Sequence, residues 1–378
     1  MARIELKQLA HSYLAHPGSE DDYALKRLDH VWQDGGAYAL LGPSGCGKTT
    51  LLNLISGLLT PSEGRVLFDG KDVTPLTPEQ RNIAQVFQFP VIYDTMTVYE
   101  NLAFPLRNRK VPESHIKERV AEVADMLELT RDLQRRARGL AADAKQRISM
   151  GRGLVRSDVA AILFDEPLTT IDPNSKWLLR RKLKQIHERF KLTLVYVTHD
   201  QNEALTFADT VVVMNEGRVL QMGTPQDLFE APRHTFVGYF IGSPGMNFMA
   251  CELDGDDARV DGQIIPLSSG LADKGRARGG AFKVGIRPEF LKLDREAAEG
   301  GLPVRVLGVE NLGNYQMAKV RLGTETVNVK APEGRREGKL CIKIFVVEKT
   351  EDLVTQIHNV VLGEPVDIVE IGEIRSRD

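Results

Sequence analysis

Eight consecutive residues, Gly42-Pro43-Ser44-Gly45-Cys46-Gly47-Lys48-Thr49, carry the strongest chemical signal in the chain. Their spacing fits G-x-x-x-x-G-K-[ST], a loop suited to holding a phosphate group. Glycine lets the backbone wrap close to an anion, so that several N–H groups and the start of a helix point at its oxygens. Lys48 would reach the β- and γ-phosphates of a nucleotide, the Thr49 hydroxyl would sit on Mg²⁺, and Thr50 completes the nucleotide-binding set. Cys46 fills a free position of the loop. No catalytic role is expected for it, although its oxidation would block nucleotide entry. A chance glycine-rich turn could carry the same letters, but the apolar run before it and the amphipathic segment after it argue for the phosphate loop.

The second constellation is Ile162-Leu163-Phe164-Asp165-Glu166-Pro167. An apolar strand that ends in two carboxylates suits Mg²⁺ chemistry, with Asp165 holding the metal through water. Glu166, one residue on, points elsewhere and can polarise an attacking water as general base. Alone, such a strand end is more often merely solvated. Downstream of a phosphate loop it becomes specific.

These groups need a frame. A short apolar run, Ala37 to Leu41, meets the loop, and Leu51, Leu52, Leu54 and Ile55 give the segment after it a helical face. VAAILFDEP and LTLVYVTHD read as buried strands of a parallel sheet, each ending in polar residues. ARIELKQLAHSYL reads as a strand and HPGSEDDYA as a loop. From Met96 to Leu140 the chain is rich in helix, with helical spacing clearest in HIKERVAEVADMLEL. QNEALTFAD predicts a further helix and TVVVMNEGRVLQMG a further strand, and FVGYFIGSPGMNFM reads as a crossing linker. Beyond it, period-two alternation broken by Gly and Pro runs through AFKVGIRPEFLKL, LPVRVLGVENLG, YQMAKVRLGTETVNVKA and KLCIKIFVVEKTEDLVTQI. That pattern predicts short antiparallel strands in a small β-barrel or sandwich. The expected organisation is an α/β domain over residues 1–235, with a helical subdomain at about 90–150, followed by a β-rich domain over 236–378.

Composition narrows the function classes. The 378 residues suit two or three domains, and 49 Lys+Arg against 52 Asp+Glu leave a net charge of −3, which argues against a nucleic-acid binder. A hydrophobic content of 42% with 27% charged residues is ordinary for a folded protein. No apolar run approaches the ~20 residues that cross a bilayer, and the N-terminus lacks the apolar core of a signal peptide. Cys46, Cys251 and Cys341 are widely spaced, which implies neither a disulfide framework nor a zinc site. A cytosolic protein that reaches a membrane only through a partner is expected.

The order of the phosphate loop, Val86-Phe87-Gln88, the strand ending in Asp165-Glu166-Pro167, Thr169 to Asp172 and Val197-Thr198-His199-Asp200 resembles the ATP-binding subunit of an ABC transporter, over about residues 1–235. The C-terminal part, with Gly285-Ile286-Arg287-Pro288-Glu289, resembles the oligonucleotide/oligosaccharide-type barrel appended to the ATPases of maltose-type carbohydrate importers. The resemblance implies an α/β P-loop NTPase domain with a helical subdomain, followed by that OB-type barrel. It implies ATP and Mg²⁺ as cofactors, and Mg-dependent ATP hydrolysis coupled to uptake of a small polyol or sugar. By the same resemblance, Gln88 would sense the γ-phosphate and metal and relay nucleotide state to the helical region that touches the membrane partner. His199 would contact the γ-phosphate and hold the attacking water, and Asp172 would lie in the loop that crosses to a second ATPase subunit. Tyr13, the aromatic about thirty residues before the phosphate loop, is the candidate to stack on adenine, with Tyr23 or plain core packing as alternatives. The implied partners are transmembrane permease subunits, a second ATPase subunit and, indirectly, a periplasmic or extracellular solute-binding protein, but no nucleic acid. The implied location is the cytoplasmic face of the inner (plasma) membrane, peripherally.

One motif departs from that family. Where L-S-G-G-Q should stand, the chain has Leu140-Ala141-Ala142-Asp143-Ala144. The consensus Ser hydroxyl and Gly backbone cap the γ-phosphate of ATP bound to the opposite subunit, from a helix N-terminus. Ala141 lacks the hydroxyl, and Asp143 adds a negative charge near a phosphate unless it turns away. Asp143 is also a favourable residue for the first turn of a helix. The change would weaken the partner's site and leave this chain's own groups intact. An asymmetric pair with a different second ATPase chain is therefore expected, as in glycerol and polyol importers with two distinct ATPase subunits. Glycerol is the favoured solute. The alternatives are an ATP-binding regulatory subunit of low activity, or an importer ATPase for a different sugar or sugar phosphate.

Overall fold

Runs of consecutive apolar residues build the central sheet of the N-terminal unit, because a strand covered on both faces needs no alternation. In the computed structural model, the described residues are 2–266, 282–291, 293, 302–313, 315–331 and 340–342. Two units separate, Met1–Pro225 and Gln226–Asp378. The strands of the first are β1 (Ile4–His11), β2 (Leu25–Trp32), β3 (Ala37–Leu41), β4 (Glu63–Phe68), β5 (Lys71–Asp72), β6 (Ala84–Val86), β7 (Ile162–Asp165), β8 (Leu194–Thr198), β9 (Thr210–Asn215) and β10 (Arg218–Gly223). Its helices are α1 (Lys48–Ser56), α2 (Val98–Arg107), α3 (Glu113–Met126), α4 (Ala142–Leu154), α5 (Pro173–Phe190) and α6 (Gln201–Phe207).

The central sheet runs β10-β9-β3-β8-β7-β6, parallel throughout except for the edge strand β10. Every residue of β3 and β8 is buried, as the two unbroken apolar runs require. An antiparallel sheet, β2-β1-β4-β5, lies on the other side of α1. Leu6 and Trp32 of that sheet, Leu51, Leu52, Leu54 and Ile55 of α1, and Leu40, Leu163 and Val195 of the central sheet form one apolar cluster. Each buried Leu or Ile contributes roughly 1.5–3 kcal/mol, so the helix that follows the phosphate loop is fixed on both sides. The helical segment is α2 to α4, where a side chain at Gly151 of α4 would meet Leu102 of α2 at 2.5 Å.

Two expectations from the sequence are corrected. TVVVMNEGRVLQMG is a hairpin of β9 and β10 rather than one strand, because Glu216 and Gly217 both take positive φ and turn the chain back. The stretch read as a linker contains the helix α8 described below, started by the His234 ring accepting from the Phe236 N–H at 3.0 Å.

The second unit contains α7 (Pro225–Glu230), whose Pro225 belongs to the first unit, then α8 (Thr235–Phe240), β11 (Asn247–Asp254), β12 (Asp257–Val260), β13 (Gln263–Pro266), β14 (Phe282–Ile286), β15 (Leu302–Asn311), β16 (Gln316–Leu322), β17 (Glu325–Ala331) and β18 (Leu340–Ile342). Its two four-stranded antiparallel sheets, β13-β12-β11-β14 and β17-β16-β15-β18, share a core of Val260, Ile265, Val284, Ile286, Val320 and Val327 among others. The alternation seen in β16 follows the period-two pattern expected for a small β-barrel or sandwich. The remainder of KLCIKIFVVEKTEDLVTQI beyond residue 342 lies outside the described residues.

Arg287 is the polar centre of this unit. Only 1% exposed, it donates to the carbonyls of Leu228, Phe229, Gly238 and Ile241, and its guanidinium lies 3.9 Å from the Phe229 ring centroid. Burial pulls its pKa down to about 10, so the cation persists at neutral pH. Arg287→Met would leave several buried carbonyls without a donor and should cost about 3 kcal/mol or more. Urea unfolding of the full chain, followed by circular dichroism, reads this. An unchanged midpoint would show that α7 and α8 are held by packing alone.

Candidate functional site

The phosphate loop leaves the end of β3 and turns into α1 through glycines that space and backbone both demand. A Cβ at Gly42 would stand 2.2 Å from the Met214 carbonyl oxygen. Gly47, at φ +100°, would press a Cβ to 2.5 Å from the Ala24 carbonyl oxygen. The Lys48 ammonium is buried and donates to the carbonyls of Gly42 (2.9 Å) and Pro43 (2.8 Å). Ser44 and Gly45 are exposed at the tip. Cys46 is buried beneath the loop, and burial pushes its thiol up despite the pull of Lys48, so it stays protonated and weakly nucleophilic.

The sheet register brings the carboxylates to this loop. Asp165 ends β7, and its Oδ1 accepts from the Thr49 hydroxyl at 3.1 Å. Burial raises the Asp165 carboxyl above the usual range, and the neighbouring Glu166 charge adds to this, while the Thr49 bond and Lys48 pull the other way. A hydroxyl and a desolvated carboxylate converging on one point form a hard-oxygen pair that a divalent cation would relieve, so the residues fit Mg²⁺.

Glu166 takes φ +46°, a left-handed conformation costly for a side chain of this kind, by roughly 1–3 kcal/mol. Its N–H still bonds to the Val197 carbonyl (3.0 Å), which locks it to β8. Two residues past Val197, His199 places Nδ1 3.0 Å from Glu166 Oε2, and the Thr169 hydroxyl reaches the same oxygen at 3.3 Å. The His199 side chain is 53% exposed, and the Glu166 carboxylate sets the orientation of its ring.

Other expected residues fall into place with less contact. Gln88 lies two residues past Val86, which pairs with Phe164 in the register; it is half-buried. The Tyr13 ring is exposed, edge-on to His11, with its hydroxyl 3.1 Å from Thr50 Oγ1 on α1. Tyr23 is turned elsewhere, its hydroxyl donating to Glu63 at 2.6 Å. Asp172 accepts from the Ser175 N–H (3.0 Å) at the start of α5. In the altered motif, Ala141 precedes α4 without a side-chain cap, and Asp143 is turned along the helix onto Arg147 at 2.7 Å.

Four supporting residues, Thr169, Glu203, Thr198 and Gln146, carry contacts to which the sequence assigned no role. Thr169 bonds Glu166, and its place in Thr169 to Asp172 was the available signal. Glu203, buried in α6, accepts from Tyr196 (3.0 Å) and Thr198 (2.8 Å) and faces Lys176 at 3.5 Å. Thr198 Oγ1 in turn accepts from the Asp200 N–H (3.0 Å), so the turn carrying His199 is held from behind. Gln146 of α4 donates to the Phe87 carbonyl at 3.0 Å, and no local pattern announces that contact.

Residues 25–169 match the ABC transporter family, residues 242–291 the MalK OB fold domain and residues 284–340 the TOBE domain. The chain is 39% identical over 331 residues to the sn-glycerol-3-phosphate import ATP-binding protein UgpC of Bordetella avium (strain 197N), covering 87% of this chain and 89% of that protein. It is 42% identical over 306 residues to the protein of the same name from Salmonella typhi, covering 80% and 85%. Among solved structures it is similar to cbiO1 of Clostridium perfringens, part of the ABC transporter complex cbiONQ, with a TM-score of 0.54 and 28% identity over 60% of this chain and 90% of that one. It is also similar to the dimeric ATP-binding cassette MJ0796 in a post-hydrolysis state bound to ADP and Pi, with a TM-score of 0.52 and 28% identity over 58% and 98%. Likeness over most of its length, joined to a phosphate loop whose Thr49 meets the strand-end carboxylate of Asp165, makes this chain a member of the ABC-transporter ATP-binding proteins, an Mg-dependent ATPase of an importer.

Proposed function

We propose that Gly42 to Thr50 bind ATP, with Thr49, Gln88 and Asp165 as metal-side groups, Tyr13 against the adenine, and Glu166, His199 and Gln88 acting on the γ-phosphate. The observation that carries this reading is the short path from Thr49 to Asp165 (3.1 Å) and from the next residue, Glu166, to His199 (3.0 Å). The loop N–H groups bind the phosphates, and Lys48 exchanges its two carbonyl partners for phosphate oxygens. Thr49, Gln88 and Asp165 would hold Mg²⁺, which would supply positive charge to offset the charge developing on the phosphate oxygens. Glu166 takes the proton of the attacking water at its carboxylate, and His199 orients that water and the γ-phosphate. Hydrolysis then drives uptake through transmembrane permease subunits, with this chain peripheral on the cytoplasmic face. Among the described residues no helix is long and apolar enough to cross a membrane.

The solute we propose is a phosphorylated polyol of the sn-glycerol-3-phosphate type rather than glycerol, on the support of the relatives' named activity. A second reading concerns the partner ATPase. The relatives give no support to a different second chain. What favours it is the uncapped Ala141 where a partner's γ-phosphate would be held, since Asp143 is turned away onto Arg147.

Glu166→Gln keeps the shape and removes the base. ATP binding should persist while turnover falls roughly 10²–10⁴-fold, measured as phosphate release by the assembled transporter; near-normal turnover would remove Glu166 from that role. Deleting the gene should abolish uptake of labelled sn-glycerol-3-phosphate and leave glycerol uptake intact, and the reverse result would reassign the solute. Replacing Ala141 by Ser together with Ala142 and Asp143 by Gly should raise turnover roughly tenfold at the partner's site. A fully active homodimer of the native chain would refute the unequal pair.

A further inference from the structure

Gln146 has the burial and the contact of a working residue, and the machinery above gives it no role. It is fully buried in the first turns of α4, with 0% exposure. Its Nε2 donates to the Phe87 carbonyl at 3.0 Å, and its Oε1 finds no hydrogen-bond partner among the described residues. Leaving a buried amide oxygen unsatisfied is costly, so a purely packing role would be better filled by Met or Leu. The amide is retained where it grips the residue immediately before Gln88.

The same face of α4 holds the far side of that segment. Ser149, three residues on, accepts from the Val91 N–H at 3.3 Å, and Arg152 donates to the Val91 carbonyl at 2.7 Å. Positions 146, 149 and 152 therefore clamp both ends of residues 87–91 on one helical stripe. The loop they clamp carries Gln88, and the helix they belong to begins inside Leu140 to Ala144, the segment expected from the family resemblance to face the opposite subunit's nucleotide. One helix thus grips the residues on either side of Gln88 and begins in the segment proposed to face the opposite subunit.

We infer that Gln146 is a positioning residue for ATP hydrolysis, setting the reach of Gln88 toward the γ-phosphate through the Phe87 carbonyl. The inference rests on the assignment of Gln88 to the γ-phosphate proposed above. An amide with one satisfied and one unsatisfied group suits a contact that is remade when the loop shifts, because the fixed partner can be exchanged without opening a cavity.

A double-mutant cycle on the full-length chain in its assembled transporter tests this. Gln146→Met keeps the volume and removes the donor. It should lower kcat roughly tenfold with ATP affinity changed less than about twofold, and leave Tm unchanged or raised. Gln88→Ala should lower kcat as well, and adding Gln146→Met to Gln88→Ala should then cost nothing more. Full additivity of the two losses, or a fall in Tm that tracks the fall in kcat, would reduce Gln146 to a structural residue. If Gln88→Ala leaves kcat intact, the Gln88 assignment fails. If Gln88→Ala lowers kcat and Gln146→Met alone does not, only the positioning role fails.

Discussion

The parallel register of β3, β6, β7 and β8 is the constraint on which the chemistry of this chain depends. Neighbouring parallel strands end on the same side, so the loop after β3, Gln88 after β6, Asp165 and Glu166 at the end of β7, and His199 after β8 all emerge along one edge. Open α/β sheets place their ligands at such carboxyl ends. A slip of one residue between β7 and β8 would break the Glu166–Val197 backbone bond and carry His199 away from Glu166 Oε2. The sheet is therefore both scaffold and ruler.

The helix α1 supplies the second fixed point. It is buried between two sheets, so neither the loop that precedes it nor the Thr49 hydroxyl can swing as a surface loop would. Rigidity there is what allows strain elsewhere. Glu166 persists in a left-handed conformation because the β8 bond on one side and Thr169 and His199 on the other hold it there.

Much of this was legible from the letters because its causes are local. The phosphate loop, the strand before it and the carboxylates after an apolar run are each set by residues within a few positions. The turn at Glu216-Gly217 was signalled by the polar break Asn215-Glu216-Gly217-Arg218 between two apolar runs, which reading the stretch as one strand passed over. Asp143 and Arg147, four apart on a helix, could have been paired from spacing alone, and that pairing turns the unfavourable charge along the helix axis. Gln146 and Phe87 are 59 positions apart, and their contact follows only once α4 is laid against the end of β6. Glu203 is a similar case, where tertiary burial gives an ordinary helix-start carboxylate the task of bracing the His199 turn.

The Lys48 ammonium, resting on the Gly42 and Pro43 carbonyls, closes the loop into a ring. Opening the ring trades two neutral acceptors for anionic ones, so the gain grows with the charge the newcomer brings. A neutral group offers nothing in that exchange, whereas each added anionic oxygen makes it more favourable. A ligand of this loop would therefore be weighed first by its charge, through an internal hydrogen bond, before any other contact is made.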